Sequence, residues 1–463
     1  MLLLLLACAD PSPPAEFSSD PLTLRLVNPT EADPFEGVET LQLDLLVGGA
    51  VVVSERFAVD EAVTLPDVTE YGAVTFELRG LSGEAVVSFG RSPVIAVGPY
   101  RAIEAPLVFL PVNEALPLTA ELASPRAFHS TASLPDGRVL LIGGESLDGT
   151  RAFSDVEVYD PATGLFSPLG AYLPAPVAEP AVVEGPEQTL LITGGASPQG
   201  ATRTPSAAFA TLDLVSLEIA VQAEMGAARA GHCFALFRPR FGLALGGTEA
   251  TDAADYLRAD GGDWSWSDFV FEGLDPQGVT GCVTLPDGQV FLQGKSEGST
   301  GVFEYSEETA SEIDIREAVQ PVGGDPLALS GAMLVPLPGG DAWIGGGLNN
   351  DTGLPSVAAR RFLAESATLV NTVDPALPRI NGRWTAWDDG WLALGCGSPD
   401  GSRAGSQTGI ELLDVDAGLR GPELALDRAR PGCSVDALPD GSLLITGGLG
   451  EGADGAIVVP YGS

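Results

Sequence analysis

The segment LPDGRVLLIGG, residues 134–144, decides the fold of this chain. Its Asp-Gly pair supplies the positive φ angles of a tight hairpin, and VLLI is too short and unperiodic for a helix. LPDG returns at 285–288 and 438–441, and LPGG stands at 337–340. Seven apolar strands end at glycine, at intervals of 51, 52, 48, 51, 50 and 52 residues, which indicates a structural repeat. The glycines of repeats 1 to 7 are Gly143, Gly194, Gly246, Gly294, Gly345, Gly395 and Gly447.

Each repeat has room for four antiparallel strands. In repeat 1 the hairpin is followed by VEVYDP at 156–161 and LFSPLG at 165–170. A four-stranded unit of about 50 residues is the size of a propeller blade, and closing the ring buries both faces of each sheet. The pattern resembles the kelch repeat family, which includes the central propeller of galactose oxidase. We therefore predict an all-β chain with a seven-bladed kelch-type β-propeller over 113–463, in which 115–122 gives the last repeat its outer strand.

The residues before the repeats fall into two parts. In 1–17, Leu5-Leu6-Ala7-Cys8 resembles a bacterial lipoprotein cleavage box, which implies a signal peptide and lipidation of Cys8. Ordinary cleavage near Ala7 or Ala9 is the alternative. Residues 18–112 hold six or seven short strands without the repeat phase, which predicts an immunoglobulin-like β-sandwich. We interpret it as a spacer, with a binding role of its own as the alternative.

Composition limits the partners. The formal net charge of −40 repels phosphate backbones and anionic headgroups, so we expect no nucleic-acid binding and membrane contact through the lipid anchor alone. We expect a monomer in the outer membrane or on the cell surface, or a periplasmic or extracellular protein if Cys8 is not lipidated. Apart from Cys8, four cysteines favour disulfides in an exported protein. Repeat phase favours Cys233 with Cys282 and Cys396 with Cys433; buried free thiols are the alternative.

Few residues are available for catalysis. The only histidines, His129 and His232, each lie 14 residues before the glycine of their repeat and three after an arginine, which indicates a structural role. The resemblance to galactose oxidase would imply copper bound by two histidines and two tyrosines, but the repeat phase already accounts for both histidines. No Ser-His-Asp set, phosphate loop or calcium loop motif is present. We predict no catalytic residue, no metal and no cofactor.

The loops that follow the glycines gather at one face of a propeller, and variable loops on a rigid scaffold commonly bind ligands. The candidate ligand-binding residues are Arg126, Arg229, Arg430, Arg151, Arg203, Asn349, Asn350 and Arg403. The first three begin inner strands, where pairing with local acids is the alternative. The leading hypothesis is a non-catalytic, envelope-tethered protein that binds a protein or a glycan. The alternative is a sugar-chemistry enzyme, an oxidase or epimerase, with arginine and glutamate converging at the channel mouth.

Overall fold

The computed structural model describes most of the chain from residue 16 to residue 461. The described residues are 16–19, 22–61, 63, 65–97, 103–199, 202–247, 254–260, 263–269, 275–296, 300–303, 319–321, 323–324, 327–337, 339–387, 390–403, 405–450, 452 and 454–461. Cys8, the predicted lipidation site, lies outside these residues. No described helix has the length and hydropathy needed to cross a membrane.

Two sheets packed around one core form the first part of the described chain. Their strands are β1 (Glu16–Ser19), β2 (Leu22–Val27), β3 (Thr40–Val47), β4 (Ala50–Ala58), β5 (Ala73–Ser82), β6 (Ala85–Arg91), β7 (Ile95–Ala96), β8 (Ile103–Val108) and β9 (Leu110–Pro111). One sheet has the order β1-β2-β8, and the other has the order β4-β3-β5-β6-β9 with β7 beside β5. Alternating apolar residues such as Leu41, Leu43 and Leu45 on β3 are buried between the sheets. We call this unit the sandwich; its immunoglobulin-like character stays a prediction.

The described part of the repeats consists of short strands and includes the 3₁₀ turns Pro276–Gly278 and Ala364–Ser366. The strands are β10 (Ala115–Pro117), β11 (Arg126–Ala127), β12 (Ser130–Ser133), β13 (Val139–Ile142), β14 (Glu145–Ser146), β15 (Asp155–Asp160), β16 (Leu165–Tyr172), β17 (Ala181–Gly185), β18 (Thr189–Thr193), β19 (Ala196–Gln199), β20 (Thr202–Pro205), β21 (Phe209–Asp213), β22 (Ile219–Val221), β23 (Cys233–Arg238), β24 (Phe241–Leu245), β25 (Ala254–Asp260), β26 (Asp263–Phe269), β27 (Val279–Thr284), β28 (Val290–Gly294), β29 (Gly301–Phe303), β30 (Val319–Pro321), β31 (Gly323–Gly324), β32 (Leu329–Ser330), β33 (Met333–Pro336), β34 (Ala342–Gly345), β35 (Leu348–Asn349), β36 (Leu354–Pro355), β37 (Ala359–Leu363), β38 (Thr368–Asn371), β39 (Arg383–Trp387), β40 (Trp391–Gly395), β41 (Gly409–Asp414), β42 (Leu419–Ala425), β43 (Ser434–Ala437), β44 (Leu443–Thr446) and β45 (Gly455–Val458).

Each repeat forms one antiparallel sheet whose first two strands are the hairpin read from the sequence. From inner to outer strand, the sheets are β12-β13-β15-β16, β17-β18-β21-β22, β23-β24-β25-β26, β27-β28-β29-β30, β33-β34-β37-β38 with β31 beside β38, β39-β40-β41-β42, and β43-β44-β45-β10. In repeat 1, Leu134 donates its N–H to the carbonyl of Arg138 at 2.7 Å, and Gly137 has a φ of 87°. The second strand, Val139–Ile142, is fully buried because neighbouring sheets cover both of its faces.

The last sheet takes its outer strand from the beginning of the repeat region. Ala115 pairs with Val458, Leu116 with Ile457 and Pro117 with Ala456, all antiparallel. Gly448 of repeat 7 also donates its N–H to the carbonyl of Arg126 in repeat 1, at 3.0 Å. Backbone hydrogen bonds therefore tie the two ends of the repeat region together, and β10 covers the edge that β45 would otherwise expose.

In six of the seven repeats, a pair of residues with positive φ ends the second strand and joins neighbouring sheets. Gly143 and Gly144 have φ of 63° and 102°, and Gly144 donates to the carbonyl of Val177 in repeat 2 at 2.8 Å. A Cβ on Gly143 would lie 2.5 Å from that same carbonyl oxygen, so only glycine fits. In repeats 5 and 6 the pairs are Gly346–Gly347 and Cys396–Gly397. The sequence phase that placed Gly345 and Gly395 at this position was therefore wrong by one residue, because three glycines in a row conceal the turn in repeat 5 and a cysteine is the turn residue in repeat 6.

The sandwich packs directly on the repeats. Phe89 and Leu110 of the sandwich share one apolar core with Leu444 and Ile457 of repeat 7. The Arg25 guanidinium donates to the carbonyl of Ala162 at 2.8 Å. Because apolar burial continues from one unit into the other, the sandwich and the adjoining repeats are held in a defined mutual position.

Candidate functional site

Three predicted ligand-binding arginines lie inside the protein. Arg126, Arg229 and Arg430 are each 0% exposed, and each donates from Nη1 to the carbonyl of its own repeat's glycine, 17 residues later. Each guanidinium also pairs with a carboxylate; that of Arg229 donates to Asp255 at 2.7 Å. Side chains that are buried and paired in this way do not reach a ligand, so the prediction that these three bind one is wrong. These arginines stabilise the end of the second strand of their repeats through hydrogen bonds to its carbonyl group.

A fourth arginine of this kind went unnoticed in the sequence. Arg379 of repeat 6 is 0% exposed and donates from Nη1 to the carbonyl of Cys396, again 17 residues later. Glu411 accepts from its Nε at 3.3 Å. The spacing from this arginine to the turn residue equals that of the other repeats only when Cys396, and not Gly395, is taken as the turn residue. Counting from Gly395 therefore concealed the repeated arginine.

Both histidines pack against the turn glycine of the preceding repeat. A hydrogen bond of 2.9 Å joins Nε2 of His129 to Oγ1 of Thr446, and one of 3.0 Å joins Nε2 of His232 to Oγ1 of Thr193. A Cβ on Gly447 would lie 2.7 Å from Cε1 of His129. Burial, reinforced by the neighbouring Arg126 and Arg383 charges, lowers the pKa of His129 to about 3, so it is neutral at pH 7.

This lowered pKa predicts a loss of stability in acid. Unfolded His129 takes up a proton below about pH 6.5 whereas the folded side chain stays neutral down to about pH 3, so stability falls with pH across this window. The expected slope is about 1.4 kcal/mol per pH unit. Urea unfolding midpoints measured from pH 7 to pH 4 should decline less in His129→Gln than in the wild type. Equal slopes would contradict the prediction. Asp436, whose pKa burial raises to about 6, has the opposite dependence and is present in both proteins.

Two disulfides join neighbouring repeats. Cys233 on β23 is bonded to Cys282 on β27, and Cys396 is bonded to Cys433, with Cα–Cα distances of 5.3 and 5.6 Å. Cys433 stands three residues after Arg430, as His129 stands three after Arg126. Its partner Cys396 is the positive-φ turn residue of the preceding repeat. The Cys396–Cys433 bond therefore takes the place that a glycine–histidine contact has between repeats 7 and 1 and between repeats 2 and 3.

Two other predicted residues meet at the face where the turn loops gather. Arg403 of repeat 6 donates to Glu145 of repeat 1 at 2.9 Å and to Glu179 at 3.1 Å. Arg203 of repeat 2 donates to the second oxygen of Glu145 at 2.6 Å. The Arg403 guanidinium carbon also lies 3.5 Å from the ring centroid of Phe128, a cation–π contact. We call Phe128, Glu145, Glu179, Arg203 and Arg403 the mouth cluster.

A small cavity, the mouth cavity, lies beside the mouth cluster. Its volume is about 50 Å³. It is lined by Phe128, Glu179, Ile380, Asn381, Arg383, Gly397, Ser398, Gly401, Ser402, Arg403, Gly405, Gly432 and Cys433. Phe128, Glu179 and Asn381 have positive φ angles of 54–56°, and each stands two residues after the residue whose carbonyl accepts from a turn glycine of the preceding repeat. Local sequence rules reserve such angles for glycine, which is why these positions were not recognised.

The other predicted binding residues do not join this site. Arg151 stacks on Phe153, 4.8 Å from the ring centroid. Asn349 shapes a turn by accepting the N–H groups of Asp351 and Thr352 at 3.0 Å. Asn350 donates to the carbonyl of Ala328 at 3.2 Å. Their polar groups support loop geometry.

The arrangement does not fit a copper site of the galactose oxidase kind. His129 belongs to the contact between repeats 7 and 1 and His232 to that between repeats 2 and 3, and each is hydrogen-bonded to a threonine. Within the described ranges, no group of three His, Cys, Asp or Glu side chains has the geometry to hold a metal ion. The donor set therefore suits contacts within the protein rather than copper coordination.

Comparison with solved structures identifies the architecture. A fungal alcohol oxidase of the AA5 family, solved in complex with copper, is 16% identical with a TM-score of 0.55; the match covers 73% of this chain and 75% of that one. The fold is a kelch-type β-propeller. The structure of YjhT also matches, at 13% identity and a TM-score of 0.40 over 76% of this chain and 94% of that chain, and carries no weight here. No family model and no curated protein matches the propeller sequence significantly. At 16% identity the oxidase supports the all-β propeller prediction and nothing about activity.

Proposed function

We propose that the protein is a non-catalytic binding protein that uses the mouth cluster and the loops around it to recognise a glycan. In this proposal it is an exported, monomeric lipoprotein anchored through Cys8, with a seven-bladed propeller carried by an immunoglobulin-like sandwich. The surface would then present the mouth cavity to one protruding group of a large ligand.

The size of the mouth cavity carries this proposal. Pockets that enclose a small-molecule substrate are typically about 300–1,000 Å³. The mouth cavity, at about 50 Å³, holds a few water-sized groups, enough for one substituent of a sugar. Polar groups rather than exposed aromatics surround it, since its two large apolar side chains, Phe128 and Ile380, are 9% and 6% exposed. Protein interfaces usually centre on aromatic anchors, so a polar glycan suits this surface better than a protein partner.

A sugar-chemistry enzyme is the second candidate, because arginine and glutamate do converge here. General acid–base catalysis requires a carboxyl group within hydrogen-bond reach of the substrate. Both oxygens of Glu145 already accept hydrogen bonds from arginines, and Glu179 accepts from Arg403. This saturation favours a binding role. Release of a modified sugar during incubation with the glycan ligand would instead support the enzyme.

Replacing Arg403 with alanine tests the binding proposal. Glycan arrays and envelope extracts would be probed with the purified full chain, and dissociation constants measured for the glycans that bind. Loss of charge-assisted hydrogen bonds should weaken binding about tenfold to a hundredfold. Arg151→Ala is the matched control, because Arg151 is an exposed loop arginine outside the mouth cluster. Equal binding by both variants at unchanged melting temperature would place the ligand elsewhere.

A further inference from the structure

Arg383 lies at the mouth of the propeller. It opens β39, lines the mouth cavity and is half-buried. Among the residues that the structure describes, none hydrogen-bonds to its guanidinium or forms an ion pair with it. An arginine withdrawn partly from water without a counter-charge is unfavourable unless some other group compensates it.

The arginines near Arg383 do form ion pairs. Arg379, four residues earlier, pairs with Glu411, and Arg403 across the cavity pairs with Glu145 and Glu179. The charge of Arg383 acts on the buried acid Asp436, but Asp436 accepts at Oδ1 from Thr131 at 2.7 Å and is not ion-paired with Arg383 within the described residues. Acids are abundant in a chain of net charge −40, yet none of the described acids forms an ion pair with Arg383.

The cavity also offers a second donor. The side-chain amide of Asn381 is exposed and makes no hydrogen bond with the described part of the chain. Glu179, the carboxylate among the residues that line the cavity, is already occupied by Arg403. Available donors therefore exceed available acceptors, which favours an acceptor-rich ligand group. A carboxylate is planar, has two acceptor oxygens and matches the fork of an arginine guanidinium.

We propose that Arg383, assisted by Asn381, binds the carboxylate of an acidic sugar such as a uronate. This inference rests on the proposed glycan-binding function and gives its ligand class. The carboxylate has three heavy atoms and fits the cavity of about 50 Å³, while the sugar ring lies outside among the loops. A carboxylate on a protein would satisfy Arg383 as well, but the polar surroundings of the cavity favour a sugar.

Calorimetric titration of the full chain tests the proposal. Sodium D-glucuronate should bind, and methyl β-D-glucoside, which lacks the charge, should bind at least tenfold more weakly. Arg383→Gln should weaken glucuronate binding at least tenfold, and Arg383→Lys should lose less because it keeps the charge. Arg420→Gln is the matched control, since Arg420 is an exposed arginine of the same repeat and contacts the carbonyl of Asp374. Equal melting temperatures would show that the variants fold alike.

Several results would overturn the inference. They are undetectable glucuronate binding, unchanged binding in Arg383→Gln, and sulfate binding as tight as glucuronate, which would indicate a general anion site. Tighter binding of an acidic peptide than of glucuronate would point to a protein partner instead. The two proposals fail separately: array ligands that depend on Arg403 but are neutral would leave the glycan-binding function standing and remove Arg383 as a carboxylate site.

Discussion

Replacing Arg126 with alanine is expected to lower the free energy of unfolding by about 3–5 kcal/mol, the cost of leaving a buried acid without its partner. Glu157 is 0% exposed and accepts from Arg126 at 2.5 Å, so its buried charge would lose this counter-charge and keep only the N–H groups of Ala123 and Ser124. The carbonyl of Gly143 would lose a donor in the same change. Urea denaturation followed by tryptophan fluorescence would measure the difference.

Arg138 supplies the matched control for Arg126. It belongs to the same repeat and is paired with Asp136 at 2.8 Å, but the two side chains are 35% and 53% exposed. Exposed ion pairs contribute at most about 1 kcal/mol, so Arg138→Ala should change stability little. Arg379→Ala should resemble Arg126→Ala, because Glu411 is buried beside it. If the Arg126 and Arg138 variants lost similar amounts, the structural role assigned to the buried arginines would be refuted.

Removing the disulfide between repeats 6 and 7 is the other large effect. Cys396 and Cys433 are 37 residues apart, and a closed loop of that length restricts the unfolded chain by about 4 kcal/mol. The double variant Cys396→Ala, Cys433→Ala should therefore unfold at lower urea, with a free energy of unfolding reduced by about that amount.

A second double variant separates the covalent link from the contact that it replaces. Cys396→Gly with Cys433→His would recreate the pair seen between Gly194 and His232. If the two positions are equivalent, this variant should be more stable than the alanine pair while remaining below the disulfide-bonded protein. A glycine–histidine pair no better than alanine–alanine would show that the equivalence is geometrical only.

The sequence predicted the parts of this protein that local chemistry determines. Apolar runs and Asp-Gly turns such as Asp136-Gly137 specify strands and hairpins within a few residues, and their recurrence predicts the propeller. The mouth cluster depends instead on long-range contacts. Arg403 and Glu145 are 258 residues apart in the sequence and meet only because of how whole sheets are arranged. Arg203 and Arg403 could be chosen as loop arginines, but their carboxylate partners could not.

The remaining site residues could not be predicted because their backbone angles or surroundings are unusual. Phe128 and Asn381 adopt positive φ angles at which sequence rules expect glycine, so the start of the inner strands was not recognisable as a recurring position. Arg383 resembles an ordinary surface arginine until its surroundings are known. What distinguishes it is that no described acid forms an ion pair or hydrogen bond with it, and a missing partner leaves no mark in a linear pattern.

The pairing of Ala115 with Val458 also has a consequence for biosynthesis. A ribosome that has already released the first strand of this pair must add more than three hundred residues before its partner exists. Until then Phe89 and Leu110 lack the cover that Leu444 and Ile457 give them in the finished protein. The nascent chain therefore carries an uncovered apolar surface through nearly all of its translation, and we expect it to depend on chaperones that hold it open until its last strands arrive.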